Sequence, residues 1–123
     1  MTVGLDLTKR SVQDYLKQNS LPWAEAKAFN GSAVIGEWVD FNQNTEYTLI
    51  INGNMVQRGS INEMSWNPGE LIEKLANWAP IRAGDILFTG TPSGVGPLKA
   101  GDQLTAILYV DNEQIIAHSA ECV

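Results

Sequence analysis

The chain has 123 residues, of which 44% are hydrophobic and 18% are charged, as in a globular protein of one domain. Its net charge of −6 argues against a nucleic-acid surface, and its one cysteine, Cys122, excludes an internal disulfide and a cysteine-based metal site. Because the sequence has no apolar run of about 18 residues and no charged-then-apolar leader, we expect no membrane span, no signal peptide and, by default, a cytoplasmic location.

The start of the chain is predicted to form a short strand followed by a helix. The apolar run Val3–Leu5 delivers Asp6 to the carboxyl end of the strand, and Thr8 is the predicted N-cap of the helix. A strand this close to residue 1 has no preceding neighbour to pair with, so we expect a further segment upstream of it. The helical residues predicted to face a core are Val12, Leu16 and Tyr15.

Polar residues recur at helical spacing along this helix. Asp6, Arg10, Gln13 and Lys17 fall on one stripe. A carboxylate, a guanidinium and an amide together suit a metal ion with an anionic, carbonyl-bearing substrate beside it. The spacing alone favours the plainer alternative, an exposed helix face with an Asp–Arg pair, so the choice depends on the rest of the chain.

The next segment is predicted to be a short helix and a turn. Pro22–Ala28 has proline in its first turn, and Phe29–Ser32 then reverses the chain. Lys27 is either a solvated helix end or an ammonium group directed into a site, and its position alone does not decide between them. Ala33–Phe41 has strand character, which Gly36 interrupts.

The middle of the chain contains the clearest local signals. Asn52-Gly53 between Tyr47–Ile51 and Met55–Gly59 predicts a β-hairpin, because both turn residues tolerate positive φ. We interpret this hairpin as scaffold.

A second helix is predicted to start at a capped position. Asn67 is its cap, Pro68 its first residue and Glu70 its capping carboxylate, and Pro80 stops it. Glu70 is therefore interpreted as a capping residue, not as a catalytic acid. The apolar stripe of this helix consists of Leu71, Ile72, Leu75, Ala76, Trp78 and Ala79.

The last third contains a short internal repeat, since the pattern of Arg82–Leu87 recurs as Lys99–Leu104. Each copy predicts a Gly-Asp turn that leads into a strand. Asp85 and Asp102 are interpreted as turn residues whose carboxylates accept hydrogen bonds from nearby backbone N–H groups.

Three strands are predicted in this part of the chain, Ile86–Thr89, Leu104–Val110 and Gln114–Ala120, with a turn at Asp111-Asn112. Together with the helices, they predict an α+β fold, mostly a β roll or barrel-like structure with two or three helices.

A glycine-rich loop lies between the two copies of this repeat. Phe88–Pro97 holds three glycines, two prolines and three hydroxyl side chains. It lacks the Gly-Lys-Ser/Thr ending and the following helix of a phosphate loop, and it is not a dinucleotide fingerprint either. Alone, it is either an ordered ligand-approach loop or an elaborate turn.

Three stretches taken together resemble the fumarylacetoacetate hydrolase family: Gly4–Gln13, Leu21–Phe29 and Gly84–Pro97. The Leu-Pro-Trp…Ala-Lys…Phe spacing is most similar to that of its small acylpyruvase and oxaloacetate decarboxylase members. The resemblance runs over nearly the whole chain in the right order, and it covers the C-terminal part of a member. We therefore expect residues 1–123 to form a single, partial and incomplete catalytic domain of this type.

The resemblance implies a divalent-metal-dependent hydrolase or decarboxylase that cleaves C–C bonds of 2-oxo acids. Family members hold Mg²⁺ or Mn²⁺, and the ion stabilises the enolate that forms when the bond breaks. The positions that match the family's functional residues are Asp6 for the metal, Arg10 and Gln13 for catalysis and substrate contact, Lys27 for the active-site lysine, and Thr91 with Gly90 for substrate contact in the glycine loop.

The chain departs from the family where the metal is concerned. It has no Glu-x-Glu pair, which members contribute from an upstream segment, and its sole histidine, His118, matches no water-activating residue and is interpreted as structural or surface. We therefore hypothesise that this chain alone is inactive. A missing N-terminal segment or a separate chain would supply the glutamates, and the resemblance also implies a homodimer.

Two alternatives remain. One is an isomerase or hydratase that acts on dicarboxylates from aromatic ring cleavage with the same metal and enolate chemistry. The other is a non-enzymatic remnant of the fold that serves as a binding or structural module. The combination of Asp6, Arg10, Gln13, Lys27 and Thr91 favours an enzymatic origin.

Overall fold

The computed structural model describes residues 1–123 as two antiparallel sheets and three α-helices. The small sheet pairs β1 (Gly4–Asp6) with β2 (Ala33–Ile35), and Leu5 lies opposite Val34. Two helices, α1 (Arg10–Gln18) and α2 (Ala24–Lys27), lie between these strands along the chain.

The larger sheet has the strand order β4-β3-β5-β6, with all neighbours antiparallel. The 3₁₀ turn Ile61–Glu63 and α3 (Pro68–Ala76) lie between β4 and β5 along the chain. The α+β fold class is therefore confirmed. The strands are β3 (Thr45–Ile51), β4 (Asn54–Ser60), β5 (Gln103–Val110) and β6 (Glu113–Glu121).

Both hairpins of the larger sheet turn on residues with positive φ. Asn52 and Gly53 have φ values of 50° and 79°, and Asp111 and Asn112 have values of 50° and 67°. These are the left-handed conformations that two-residue hairpin turns require. The predicted hairpin at Asn52-Gly53 and the predicted turn at Asp111-Asn112 are confirmed.

The core lies on the face of the larger sheet that the small sheet covers. Val3, just before β1, packs into the same buried cluster as residues of β3, β5 and β6. His118 of β6 is half-buried on this face, where a Cβ placed on Gly36 would lie 3.3 Å from its own Cβ. The buried cluster consists of Val3, Leu49, Leu104, Ala106, Leu108 and Ile116.

Helix α1 differs from its prediction at both its start and its packed face. It begins at Arg10, with Lys9 in the N-cap position and no side-chain cap, so the prediction of Thr8 as N-cap is wrong. The prediction that Tyr15 faces the core is also wrong, because that side chain is 61% exposed. Leu16 is buried as predicted, and the buried residue three positions before it is the polar Gln13.

Helix α3 begins at Pro68 as predicted and ends at Ala76, before Pro80, and its residues lie largely at the surface. The Asn67 carboxamide accepts from the Glu70 N–H at 3.0 Å, and the Glu70 carboxylate accepts from the Asn67 N–H at 2.8 Å. This reciprocal cap confirms the predicted role of Glu70. None of the helix residues is buried, and Ile72 is 49% exposed.

The two Gly-Asp repeats form the same turn. The Asp85 carboxylate accepts from the Arg82 N–H, and the Asp102 carboxylate accepts from the Lys99 N–H, both at 2.7 Å. Their predicted role as turn residues is confirmed. Only the second turn leads into a strand, and the prediction of a strand at Ile86–Thr89 is wrong, because no strand of this chain lies beside that segment.

None of the helices reaches the length and apolar character that crossing a membrane requires.

Candidate active site

An ion pair joins the end of β1 to the end of α2. Lys27 Nζ lies 2.9 Å from both Oδ1 and Oδ2 of Asp6. The side chains are 36% and 42% exposed, respectively, so solvent reaches the pair. The alternative of an Asp6–Arg10 pair is wrong, because Asp6 pairs with Lys27.

Backbone hydrogen bonds hold the two ends of this pair together. The Leu7 N–H donates to the Ser32 carbonyl at 2.8 Å, and the Lys9 N–H donates to the Ala26 carbonyl at 3.0 Å. Ala26 is fully buried, which fixes α2 against the start of α1. The residues that follow Asp6 are therefore tied to the residue that precedes Lys27.

A buried amide orients the arginine of α1. Arg10 Nη1 donates to Gln13 Oε1 at 2.8 Å, and Gln13 is only 4% exposed. Lys17 does not join this pair, since its ammonium lies 4.7 Å from the ring centre of Trp23. The predicted stripe of four polar residues thus becomes the Arg10–Gln13 pair, an Asp6 directed to α2 and a lysine stacked on an aromatic ring.

The glycine-rich loop is anchored on strand β4. A Cβ on Gly94 would lie 1.9 Å from the Val56 carbonyl oxygen, and its φ of +99° is left-handed. Only glycine fits such a contact and such a backbone angle. At the other end of the loop, the Phe88 ring lies 3.2 Å from the Cβ position of Gly4 in β1. The loop therefore reaches from β4 to the strand that carries Asp6.

Thr91 and Gly90 lie at an exposed part of this loop, and Gly90 has a φ of +114°. Neither residue hydrogen-bonds to Asp6, Arg10 or Lys27. The ion pair and the Arg10–Gln13 pair thus lie on neighbouring elements, which a backbone hydrogen bond joins at the start of α1. Thr91 is open to solvent.

Sequence reasoning missed Gln57 as a support of the loop. Its amide donates to the Pro92 carbonyl at 3.4 Å, and the residue is 9% exposed. Gly59, two positions further along β4, was the available signal, since glycine inside a strand marks close approach of another segment. A Cβ there would lie 3.4 Å from Pro92 Cγ.

The residues of this chain do not form a site for Mg²⁺ or Mn²⁺. Such ions take about six oxygen ligands, several of them carboxylates or waters. No group of three His, Cys, Asp or Glu residues lies close enough to hold an ion, and both oxygens of Asp6 accept from Lys27.

Comparison with protein families identifies the family of this chain. The model of the fumarylacetoacetate (FAA) hydrolase C-terminal domain matches residues 1–118. The chain belongs to the fumarylacetoacetate hydrolase family. The resemblance of the three sequence stretches is therefore confirmed.

Several relatives of this fumarylacetoacetate hydrolase family chain are named enzymes. The oxaloacetate tautomerase YcgM of Escherichia coli is 40% identical over 109 residues, which are 84% of this chain and 50% of that protein. The mitochondrial oxaloacetate decarboxylase of Dictyostelium discoideum is 35% identical over 106 residues, 81% of this chain and 48% of its own length.

Among solved structures, the fumarylpyruvate hydrolase of Pseudomonas aeruginosa in complex with Mn²⁺ and pyruvate is 31% identical with a TM-score of 0.88. The match covers 99% of this chain and 53% of that one. The chain spans about half the length of the relatives it matches.

Proposed function

We propose that this chain is the C-terminal part of an enzyme that acts on 2-oxo acids through an enol or enolate, as a C–C bond hydrolase or decarboxylase. The observation that carries the proposal is the Asp6–Lys27 pair at the end of β1, beside the start of α1 that bears Arg10. The named relatives support it, because oxaloacetate and fumarylpyruvate are both 2-oxo acids.

Arg10 is the proposed substrate anchor. Its guanidinium binds carboxylates with two parallel N–H donors, and a 2-oxo acid presents a carboxylate beside its keto group. The hydrogen bond that Arg10 donates to the buried Gln13 side-chain oxygen uses one guanidinium nitrogen and fixes the plane of the group, which leaves the other nitrogens for substrate. Gln13 thus acts by orienting Arg10 as well as by any contact of its own.

Lys27 is proposed to stabilise the negative charge that develops on the enolate oxygen. An ammonium group has three donors, and two of them point at the Asp6 oxygens. The third donor is available to a substrate oxygen, where a fixed positive charge lowers the barrier to enolate formation. Thr91 and Gly90 would contact the substrate from the glycine loop, through the threonine hydroxyl and the glycine backbone.

Mg²⁺ or Mn²⁺ is proposed as the cofactor of the assembled enzyme, in which Asp6 is this chain's ligand. The support is the Pseudomonas relative, whose structure contains Mn²⁺ and pyruvate. The remaining carboxylates would come from an N-terminal segment or a separate chain. A homodimer and a cytoplasmic location remain predictions of the same kind.

Keto–enol tautomerisation of oxaloacetate is a second candidate, favoured by the name of the Escherichia coli relative at 40% identity. This reaction needs the same anchored carboxylate and stabilised enolate, with a proton returned to carbon and no attacking water. An isomerase or hydratase of ring-cleavage dicarboxylates would use the same residues, and a non-enzymatic remnant would use none of them.

The test compares the purified chain alone with the same chain mixed with the half of a relative that lies outside the match. We expect no turnover of oxaloacetate or an acylpyruvate by the chain alone, and turnover by the assembly with Mg²⁺ or Mn²⁺. Decay of the enol identifies tautomerisation, release of CO₂ identifies decarboxylation, and release of acid identifies hydrolysis of the C–C bond. Lys27→Met should abolish turnover and the control Lys99→Met should keep it; turnover by the chain alone, or full activity of Lys27→Met, overturns the proposal.

A further inference from the structure

The chain contains two Asn-Gly pairs, Asn30-Gly31 and Asn52-Gly53. An asparagine before glycine can lose ammonia without an enzyme, because the backbone nitrogen of the glycine attacks the side-chain carbonyl carbon and glycine has no Cβ to block the approach. Each pair occupies a turn of the chain, and both glycines have a φ of +79°. The surroundings of each asparagine therefore decide which of the two reacts.

Hydrogen bonds hold the side chain and the backbone of Asn52. Its Nδ2 donates to the Asp102 carboxylate at 2.8 Å, and its Oδ1 accepts from the Gln103 N–H at 2.9 Å. Its own N–H donates to the Gln103 carbonyl at 2.9 Å, and its carbonyl accepts from the Asn54 side chain at 3.2 Å. The carboxamide therefore cannot turn towards Gly53 unless the two hydrogen bonds that it makes are broken.

None of these restraints applies to Asn30. The residue is exposed and its side chain makes no hydrogen bond within the chain, and the Gly31 N–H donates to no acceptor. One hydrogen bond closes the turn around them, from the Ser32 N–H to the Phe29 carbonyl at 3.0 Å, and it uses neither of the reacting groups. The carboxamide carbon and the attacking nitrogen can therefore meet by rotation about bonds of Asn30 alone.

The turn that contains Asn30 is joined to the strand that carries Asp6. The Ser32 carbonyl accepts from the Leu7 N–H at 2.8 Å, and Leu7 directly follows Asp6. Loss of ammonia forms a succinimide ring, and opening of this ring at its backbone carbonyl gives isoaspartate, in which the main chain runs through the former side chain and gains one carbon atom before Gly31. In a turn that one hydrogen bond closes, this lengthening shifts Ser32 relative to Leu7.

We propose that Asn30 is a site of spontaneous deamidation, and that the isoaspartate formed there loosens the contact between Ser32 and Leu7. The Gly31 nitrogen bonds to Asn30 Cγ, the Cγ–Nδ2 bond breaks, and ammonia leaves with the proton of the Gly31 N–H. Water, the only co-reactant, then opens the ring to isoaspartate or aspartate, so that a carboxylate replaces a neutral side chain. This reaction is independent of the proposed function, and its test does not use catalysis.

The experiment incubates the full chain in warm, mildly alkaline buffer and follows both asparagines by peptide mass spectrometry, with fragmentation that distinguishes isoaspartate from aspartate. We expect conversion of Asn30 to be at least about 10-fold faster than that of Asn52, because Asn52 must first break two hydrogen bonds, one of them to a carboxylate. The same incubation in urea is the control. There the two rates should converge, because the unfolded chain lacks these hydrogen bonds.

Two variants separate protection from consequence. Asp102→Ala frees the Asn52 carboxamide nitrogen, so it should accelerate conversion of Asn52 and leave that of Asn30 unchanged. Asn30→Gln keeps the amide but would have to close a larger ring, which forms far more slowly. Incubation should therefore speed deuterium exchange of the Leu7 amide in the wild type and not in Asn30→Gln. Circular dichroism checks that both variants are folded, and the urea control needs no variant.

Three results would overturn the inference. The first is conversion of Asn52 in the folded chain at the same rate as Asn30 or faster. The second is a rate difference that stays the same size in urea, which would assign it to the flanking sequence and not to the hydrogen bonds. The third is unchanged deuterium exchange of the Leu7 amide after Asn30 has been converted to isoaspartate.

Discussion

Lys27 donates to both carboxylate oxygens of Asp6 at 2.9 Å, although the two residues are 21 positions apart in the chain. The pair closes the gap between the end of β1 and the end of α2. Because about two fifths of each side chain is open to water, the pair contributes little to folding, about 0–1 kcal/mol. We therefore expect the fold to persist when the pair is removed.

The first prediction follows from this exposure. Asp6→Asn should change the free energy of unfolding by less than about 1 kcal/mol, measured by urea denaturation. In the assembled enzyme the same variant should lose the binding of Mn²⁺ with oxalate, an analogue of a 2-oxo acid enolate, measured by calorimetry. Glu46→Gln, which breaks the exposed Arg58–Glu46 pair, is the control and should keep that binding. Unaltered Mn²⁺ binding by Asp6→Asn would remove this residue from the site.

The second prediction concerns the anchor of the glycine-rich loop. Gly94→Ala should destabilise the chain by roughly 1–3 kcal/mol, because the new Cβ would lie 1.9 Å from the Val56 carbonyl oxygen at a φ of +99°. Gly96→Ala is the matched control, since no atom lies within 4 Å of its Cβ position. Thermal unfolding of both variants checks the difference. Equal melting temperatures would show that the loop does not rest on β4.

The third prediction uses two buried threonines of β3. Thr48 is 7% exposed and its hydroxyl has no hydrogen-bond partner, whereas the Thr45 hydroxyl donates to the Asn42 carbonyl at 2.6 Å. Thr48→Val should stabilise the chain by about 1 kcal/mol, because it removes an unpaired polar group, and Thr45→Val should destabilise it by a similar amount. Urea denaturation measures both. A loss of stability in Thr48→Val would mean that its hydroxyl is satisfied in solution.

The fourth prediction is a pH dependence. The Asn52 amide, which donates to the Asp102 carboxylate at 2.8 Å, and the Lys99 N–H hold the pKa of Asp102 below its usual value. Because the folded-state pKa is lower than the unfolded one, the resulting stabilisation is full above the unfolded pKa of about 3.9 and is lost as the pH falls through the folded value.

Asn52→Gly keeps the positive φ of the turn and removes the amide, so it should raise the pKa of Asp102 towards the usual value in an NMR carboxyl titration. Asn112→Gly makes the equivalent change in the other hairpin turn and should leave that pKa unaltered. A pKa of Asp102 that is the same in Asn52→Gly and in the wild type would contradict the assigned hydrogen bond.

Features fixed by neighbouring residues could be predicted from the sequence. The turn at Asn52-Gly53 needs only two residues that tolerate positive φ, and the cap formed by Asn67 and Glu70 closes within one helical turn. The Gly-Asp turns are local in the same sense. These features formed where they were expected because no distant contact decides them.

Features decided by distant contacts could not be predicted in this way. The predicted strand at Ile86–Thr89 does not form, because a strand needs a neighbouring strand to pair with. Tyr15 is exposed because the packed face of α1 is the one that bears Gln13. The pairing of Lys27 with Asp6 depends on how α2 lies against β1, which spacing along one helix does not reveal. The site residues themselves came from resemblance, and their roles remain predictions.

The strand order of the larger sheet has a consequence for how the chain folds. Hairpins β3–β4 and β5–β6 each close through a two-residue turn, whereas β3 and β5 pair in the centre of the sheet across the long segment that holds α3 and the glycine-rich loop. Closing a flexible loop costs only about 0.6 kcal/mol more for each doubling of its length. We therefore expect the pairing of the two hairpins to limit the folding rate, and this rate should depend on the apolar register between Leu49 and Ala106 far more than on the composition of the intervening loop.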